Sequence, residues 1–179
     1  MRSFALMAVL SAVCLPYITG CGKSTQSTAT AAHATAINID GSKFLLNKEP
    51  TGAVGVIAAR ESAEDGEPLV LVGRIGGSAN PWIDGRAAFM LLDASMSVVA
   101  EDEEDLAEGE LCTGDCCATE LLDCTTLVKV VDNRGKLVPV DSRKLLGLKE
   151  SDMVVVEGTA KKDESGNFVM LVKGVYVRK

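Results

Sequence analysis

Histidine is almost missing: the only imidazole in the chain is His33, set in a Ser/Thr/Ala tract with nothing to hold it in place. Its absence from the rest of the chain removes Ser-His-Asp and Cys-His nucleophiles and zinc sites built on imidazole. Aromatic residues are scarce, at 4% with a single Trp, and 18 Lys and Arg against 25 Asp and Glu leave a net charge of −7. No diffuse positive field exists to draw in phosphate backbones or anionic headgroups, so nucleic acid is not an expected partner. Long apolar runs are lacking too, apart from one at the N-terminus.

That run has the layout of a secretory signal over residues 1–20, with a basic start at Met1 to Ser3 and an apolar stretch from Phe4 to Leu15. Ile18-Thr19-Gly20-Cys21 resembles a bacterial lipobox, with Ile where Leu is usual. The resemblance implies cleavage before Cys21, a diacylglycerol on its sulfur and acylation of its new amine. Several acyl chains on one residue give stable membrane anchoring where a single chain does not. Gly22, in place of Asp, points to the outer membrane and a chain facing the periplasm. Residues 21–40 then form a tether, since Lys23 to Ala36 holds too little apolar surface to offset the entropy of ordering it. The remaining segment, 41–179, is roughly 140 residues, enough for one domain with one core.

Within it, Phe44 to Leu46 is a small apolar anchor, and Val54, Ile57, Ala58 and Glu61 at helical spacing predict a short helix ending before Gly66. Pro68 to Ser95 reads as a β-hairpin: an apolar run at Leu69–Ile75, a Gly/Asn/Pro/Asp connection from Gly76 to Gly85, and a second run from Arg86 to Leu92. Residues 94–125 read as an acidic, Cys-rich insertion. A third strand is expected over Leu127–Val131, turning back at Asp132 to Gly135. Asp141 or Ser142 caps a short helix, Arg143 to Leu148, with Gly147 near its end. Met153–Ala160 and Phe168–Val177 form a second hairpin across Asp163 to Asn167.

The order β-β-β-α-β-β resembles the OB-fold, a mainly β, five-stranded Greek-key barrel with its helix between strands three and four. Val54 to Gly73, followed later by Val154-Val155-Val156-Glu157-Gly158, is similar to the anticodon-binding-like branch of that fold, in which a leading helix precedes a V-x-V-x-G first strand. The mature chain also resembles small lipoproteins of planctomycete-type bacteria that carry a cysteine cluster between strands two and three. The resemblance implies a fold and an envelope address, and no reaction.

Cys112, Cys116, Cys117 and Cys124 are the sharpest chemical feature. Beyond a secretory signal, an even set of cysteines reads first as disulfides. A bond between the adjacent Cys116 and Cys117 would close a strained ring, which leaves Cys112–Cys116 with Cys117–Cys124, or Cys112–Cys117 with Cys116–Cys124. Each bridge would contribute ~2–3 kcal/mol by restricting the unfolded chain. The alternative is a thiolate site for zinc or copper(I), although the spacing lacks paired C-x₂₋₄-C knuckles. Glu101 to Asp105 reads as a solvated charge block, because it lacks the spacing that aims oxygens at one calcium ion.

OB barrels bind ligands between the loop joining strands one and two and the loop joining strands four and five, here Gly76–Gly85 and Lys161–Asn167. Asn80, Trp82, Asp84 and Arg86 are the candidate ligand-binding residues. Trp82 either stacks a sugar or base or closes one end of the barrel. Asp84, Asp93 and Glu157 have no spacing that suggests a paired-carboxylate hydrolase, and Asp84 and Asp93 sit where turn-forming aspartates are common. The expectation is a binding or interaction module in the cell envelope, with no enzyme activity and no cofactor; the alternatives are a zinc- or copper-binding envelope protein and, against the acidic charge, a single-stranded nucleic-acid-binding OB domain.

Overall fold

The computed structural model describes residues 39–99, 110–112 and 118–179. Five strands close into a barrel: β1 (Pro68–Ile75), β2 (Ala88–Asp93), β5 (Thr125–Val130), β6 (Met153–Lys162) and β7 (Phe168–Val177), in the order β1-β2-β5-β7-β6. Every neighbouring pair is antiparallel except β5 with β7, which is parallel. The mainly β, closed five-stranded barrel matches the expected fold class. Two further strands, β3 (Ser97–Val99) and β4 (Glu110–Cys112), make a small parallel pair of their own inside the expected insertion. Helix α2 (Ala118–Cys124) leads directly into β5.

The barrel is filled by side chains that alternate along the strands. Leu71 and Ile75 of β1, Phe89 and Leu91 of β2, Val128 and Val130 of β5, and Val154 and Val156 of β6 are all fully buried. Burying such a side chain contributes ~1.5–3 kcal/mol. Along β7 the inward set runs Phe168, Met170 and Val172, then jumps to Val175. The jump has a cause: Glu157 pairs with Gly174 and Gly158 with Val172, so Lys173 is an extra residue in a β-bulge that shifts the phase. Gly158 lies so close to β7 that a Cβ there would run into the Leu171 carbonyl.

Two short helices add to the same core. Helix α1 (Val56–Ser62) contributes Val56 and Ala59, and α3 (Ser142–Leu146) contributes Leu145 and Leu146. Helix α3 starts where the Asp141 carboxylate accepts the Arg143 N–H at 2.9 Å and stops at Gly147, whose φ of 69° is the left-handed conformation that terminates helices. Ahead of α1, Val54 pairs with Leu71 of β1, its N–H donating to Val70 and its carbonyl accepting from Val72. The apolar anchor is a 3-10 turn, Gly41–Phe44, after which the Leu46 N–H donates to Val175 of β7.

The expected strand and helix positions hold to within a few residues. The exceptions lie in the insertion. Helix α2 and the β3/β4 pair were not foreseen there, and β5 begins at Thr125 rather than Leu127 because the α2 helix hands the chain straight into the barrel.

Candidate functional site

The connection from β1 to β2 is less of a loop than its Gly, Asn and Pro content suggests. Gly76 N–H donates to the Met90 carbonyl, Met90 N–H to Pro81, and Ile83 N–H to Ala88, while Trp82 pairs with Phe89. The chain thus runs back along β2, and Gly77 to Asn80 are left as a bulge.

Trp82 is only 8% exposed and belongs to the barrel core. Its ring stands 6.3 Å from that of Phe89 at 54°, a tilted arrangement favoured by ring quadrupoles. The guanidinium of Arg143, on α3, lies over the Trp82 ring at 5.5 Å from its centroid, within cation–π range. Arg143 in turn donates to Asp141 at 2.6 Å and to Asp84 at 2.8 Å. The Arg143 side chain holds the Asp141 carboxyl down to about 2, and the two carboxylates raise Arg143 further above its ordinary value. Because the folded pKa of Asp141 is depressed from 3.8, the clamp is fully formed above that value and is lost as pH falls through about 2.

Of the predicted ligand-binding residues, Asn80, Trp82 and Asp84 therefore come together, with Asn80 Oδ1 accepting the Trp82 N–H at 3.3 Å. The indole takes the position of a closing lid. Arg86 is exposed, and its carbonyl accepts the Ser142 N–H. Arg143 went unnoticed in the sequence; its signal was the capping Asp141 two residues before it. Since Trp82 is the only tryptophan, its emission reports this lid directly. Arg143→Ala should move the native emission to longer wavelength and increase quenching by acrylamide while leaving the barrel folded. Unchanged emission would show that the guanidinium does not cover the ring.

A second surface lies on the outside of β2, β5, β7 and β6. Met90, Leu127 and Val169 point outward in one register row that ends at Lys161, and Lys129, Leu171 and Thr159 form the next. All but the exposed Lys161 are half-buried. A shallow groove of about 400 Å³ runs beside Val169 and Leu171, bordered by Lys129, Lys161 and Lys162 and by Asn167 of the β6–β7 turn. Asp163 organises that turn by accepting the N–H groups of Ser165 and Asn167, both at 2.9 Å. Lys161 pairs with Asp65 at 3.3 Å, and Lys162 Nζ donates to the Arg60 carbonyl at 2.8 Å.

Asp93 is buried and has a structural partner. Its Oδ2 accepts the Ile57 N–H at 3.0 Å, and its Oδ1 accepts the Ser95 N–H at 2.9 Å and the Ser95 hydroxyl at 2.7 Å. Burial pushes its carboxyl up, but these hydrogen bonds more than reverse that and hold it below the ordinary carboxylate range. Gly55, the N-cap of α1, has no capping side chain, and a Cβ there would stand 2.5 Å from Asp93 Oδ2. Asp93 thus caps the helix from across the fold.

Cys124 is buried against Leu92, with Ile57, Met96 and Leu121 around it, and forms no disulfide among the described residues; the partners expected for it, Cys116 and Cys117, lie outside them. Burial and the carboxylates of Asp93, Asp123 and Glu120 raise its pKa, so the thiol is favoured over the reactive thiolate. Cys112 ends β4; its side chain, together with Cys116, Cys117, the Glu101 to Asp105 run, Cys21 and His33, lies outside the described residues. Among the described residues no helix is long and apolar enough to cross a membrane, and no cluster of His, Cys, Asp and Glu could hold a metal ion. No protein-family model matches the chain, and no curated protein matches it.

Proposed function

We propose that the chain is a lipid-anchored envelope protein whose barrel is an OB fold of the anticodon-binding-like branch and acts as a binding module, engaging its partner on the outer face of β2, β5 and β7. The strand order, α3 between the third and fourth barrel strands and α1 ahead of the first support the fold assignment. The lipobox-like Ile18 to Cys21 supports the anchor. The observation that carries the binding function is the outward register row of Met90, Leu127 and Val169, half-buried apolar side chains continued by Leu171 in the next row, on a wall where Lys129 and Lys161 border the groove. Ordinary outer barrel faces are covered with polar residues, and a contiguous apolar strip rimmed by charge marks a contact surface. The lid residues Trp82, Asp84 and Arg143 then hold the barrel's shape beside that surface.

A photo-crosslinking residue at Leu171, expressed in the intact envelope, should give a discrete adduct that the same probe at the exposed Glu157 of β6 does not give. Cys21→Ser should abolish membrane retention and release the chain into the soluble fraction. Equal labelling from both positions would remove the outer face as the contact surface, and undiminished retention of the Cys21→Ser chain would remove the lipid anchor.

A further inference from the structure

The bulge of the β1–β2 connection faces a cleft of about 380 Å³ that shares no residue with the lysine-bordered groove. The size suits a small molecule. Three features of its lining point the same way. The Ser78 hydroxyl is shut off from solvent yet meets no hydrogen-bond partner among the described residues, an arrangement that costs stability unless something accepts from it. The amide N–H groups of Gly77, Ser78 and Ala79 make no backbone hydrogen bond among the described residues, although those of Gly76 and Ile83 on either side do. Finally, Arg74 lines the same cleft with no carboxylate partner among the described residues. Among the described residues its guanidinium is tied only to the Ser151 carbonyl, at 3.4 Å.

The local backbone is committed to this shape. Gly77 has a φ of 85°, and a Cβ there would run into the Thr125 side chain, so only glycine allows the bulge. Ser151 on the opposite rim is the one non-glycine residue with positive φ, 66°, among those described. It is locked by donating its N–H to Ile75 at 2.9 Å while its carbonyl receives Arg74. Residues held in such conformations persist where the surroundings over-determine them, which is common at ligand sites.

We propose that this cleft binds the oxyanion of a small molecule, a carboxylate or a phosphate, through the Ser78 hydroxyl, the bulge amides and the Arg74 guanidinium. All of these groups donate, and a planar guanidinium with backbone N–H groups is the donor set that recognises such anions. Glu150, also on the rim, opposes the anion and limits its affinity. The site stands independently of the outer-face reading, because it involves none of the residues on which that reading rests.

The test is an amide NMR titration of the ¹⁵N-labelled full chain with inorganic phosphate in one arm and acetate in the other. Saturable shifts at Gly77, Ser78 and Ala79 are expected in at least one arm, and the arm that saturates identifies the anion. Arg74→Gln should weaken that binding at least tenfold, and Glu150→Gln should strengthen it. Glu150 is exposed and Arg74 half-buried at the rim, and glutamine keeps much of the length of each side chain, so neither change threatens the fold. Ser78→Ala should weaken binding while raising the thermal midpoint of the anion-free chain, the opposite of what a structural hydroxyl would do. Linear, unsaturable shifts in both arms, or saturation unaltered by Arg74→Gln, would overturn the proposal.

Discussion

Replacing Gly158 by valine is expected to be the most damaging single change in the barrel wall, costing ~3 kcal/mol or more because an added side chain meets backbone that cannot repack. A Cβ at this position would collide with the Leu171 carbonyl and stand 2.7 Å from the Val172 Cα. The residue lies beside the bulge where Lys173 is accommodated and where β6 and β7 change register. Relief would require separating β6 from β7, the longest strand pair among the described residues, so valine should lower the urea midpoint sharply. Alanine should already produce most of the effect, because its Cβ makes the collision. A Gly158→Ala protein with a wild-type midpoint would show that the two strands are not in such close contact.

Asp93→Ala should cost about 2 kcal/mol, lowering the melting temperature by roughly 5–10 °C, since it leaves part-buried donors unpaired and strips a helix of its cap. The donors left behind are the N–H of Ile57 and the N–H and hydroxyl of Ser95. The change should also flatten the acid limb of the stability curve. A carboxyl whose folded pKa is depressed contributes stability that is present above its unfolded value and disappears as pH falls through the folded one. Asp93→Asn separates the two effects: the amide keeps the shape but cannot titrate, so its midpoint should lie between those of wild type and alanine while its acid limb matches alanine. Identical pH dependence in wild type and Asp93→Asn would remove Asp93 as the source.

Much of the barrel could be read from residue order because its signals are local. The phase change on β7, from Phe168, Met170 and Val172 to Val175, is visible in the sequence and marks the bulge. Asp141 and Gly147 bracket α3 as a cap and a stop. What stayed hidden depends on distant partners. Asp93 looks like a turn residue because the amide it caps is 36 positions away. Trp82 looks like a loop aromatic because only the pairing of residues 76–83 against β2 reveals that it points inward. The Ser78 hydroxyl and the Arg74 guanidinium belong to one cleft only once Ser151 is brought alongside Ile75.

The closure of the wall between β1 and β6 also sets the order of events by which the domain can form. β1 finds one neighbour nearby, in β2, and the other only after β5, α3 and Met153 have been made. Its pairing has high contact order, and long-range pairing of this kind puts a chain among the slow folders. The intervening excursion from Asp93 to Thr125 adds little to that delay in free energy, because the entropy of closing a loop grows only with the logarithm of its length. Until the β6–β7 hairpin arrives, the free edges of β1 and β5 are open to pairing with other chains. A chain cut short before Phe168 therefore loses more than its last strand: β1 can still pair with β6, but β5 and β6 each keep permanently an open edge that β7 covers in the complete chain.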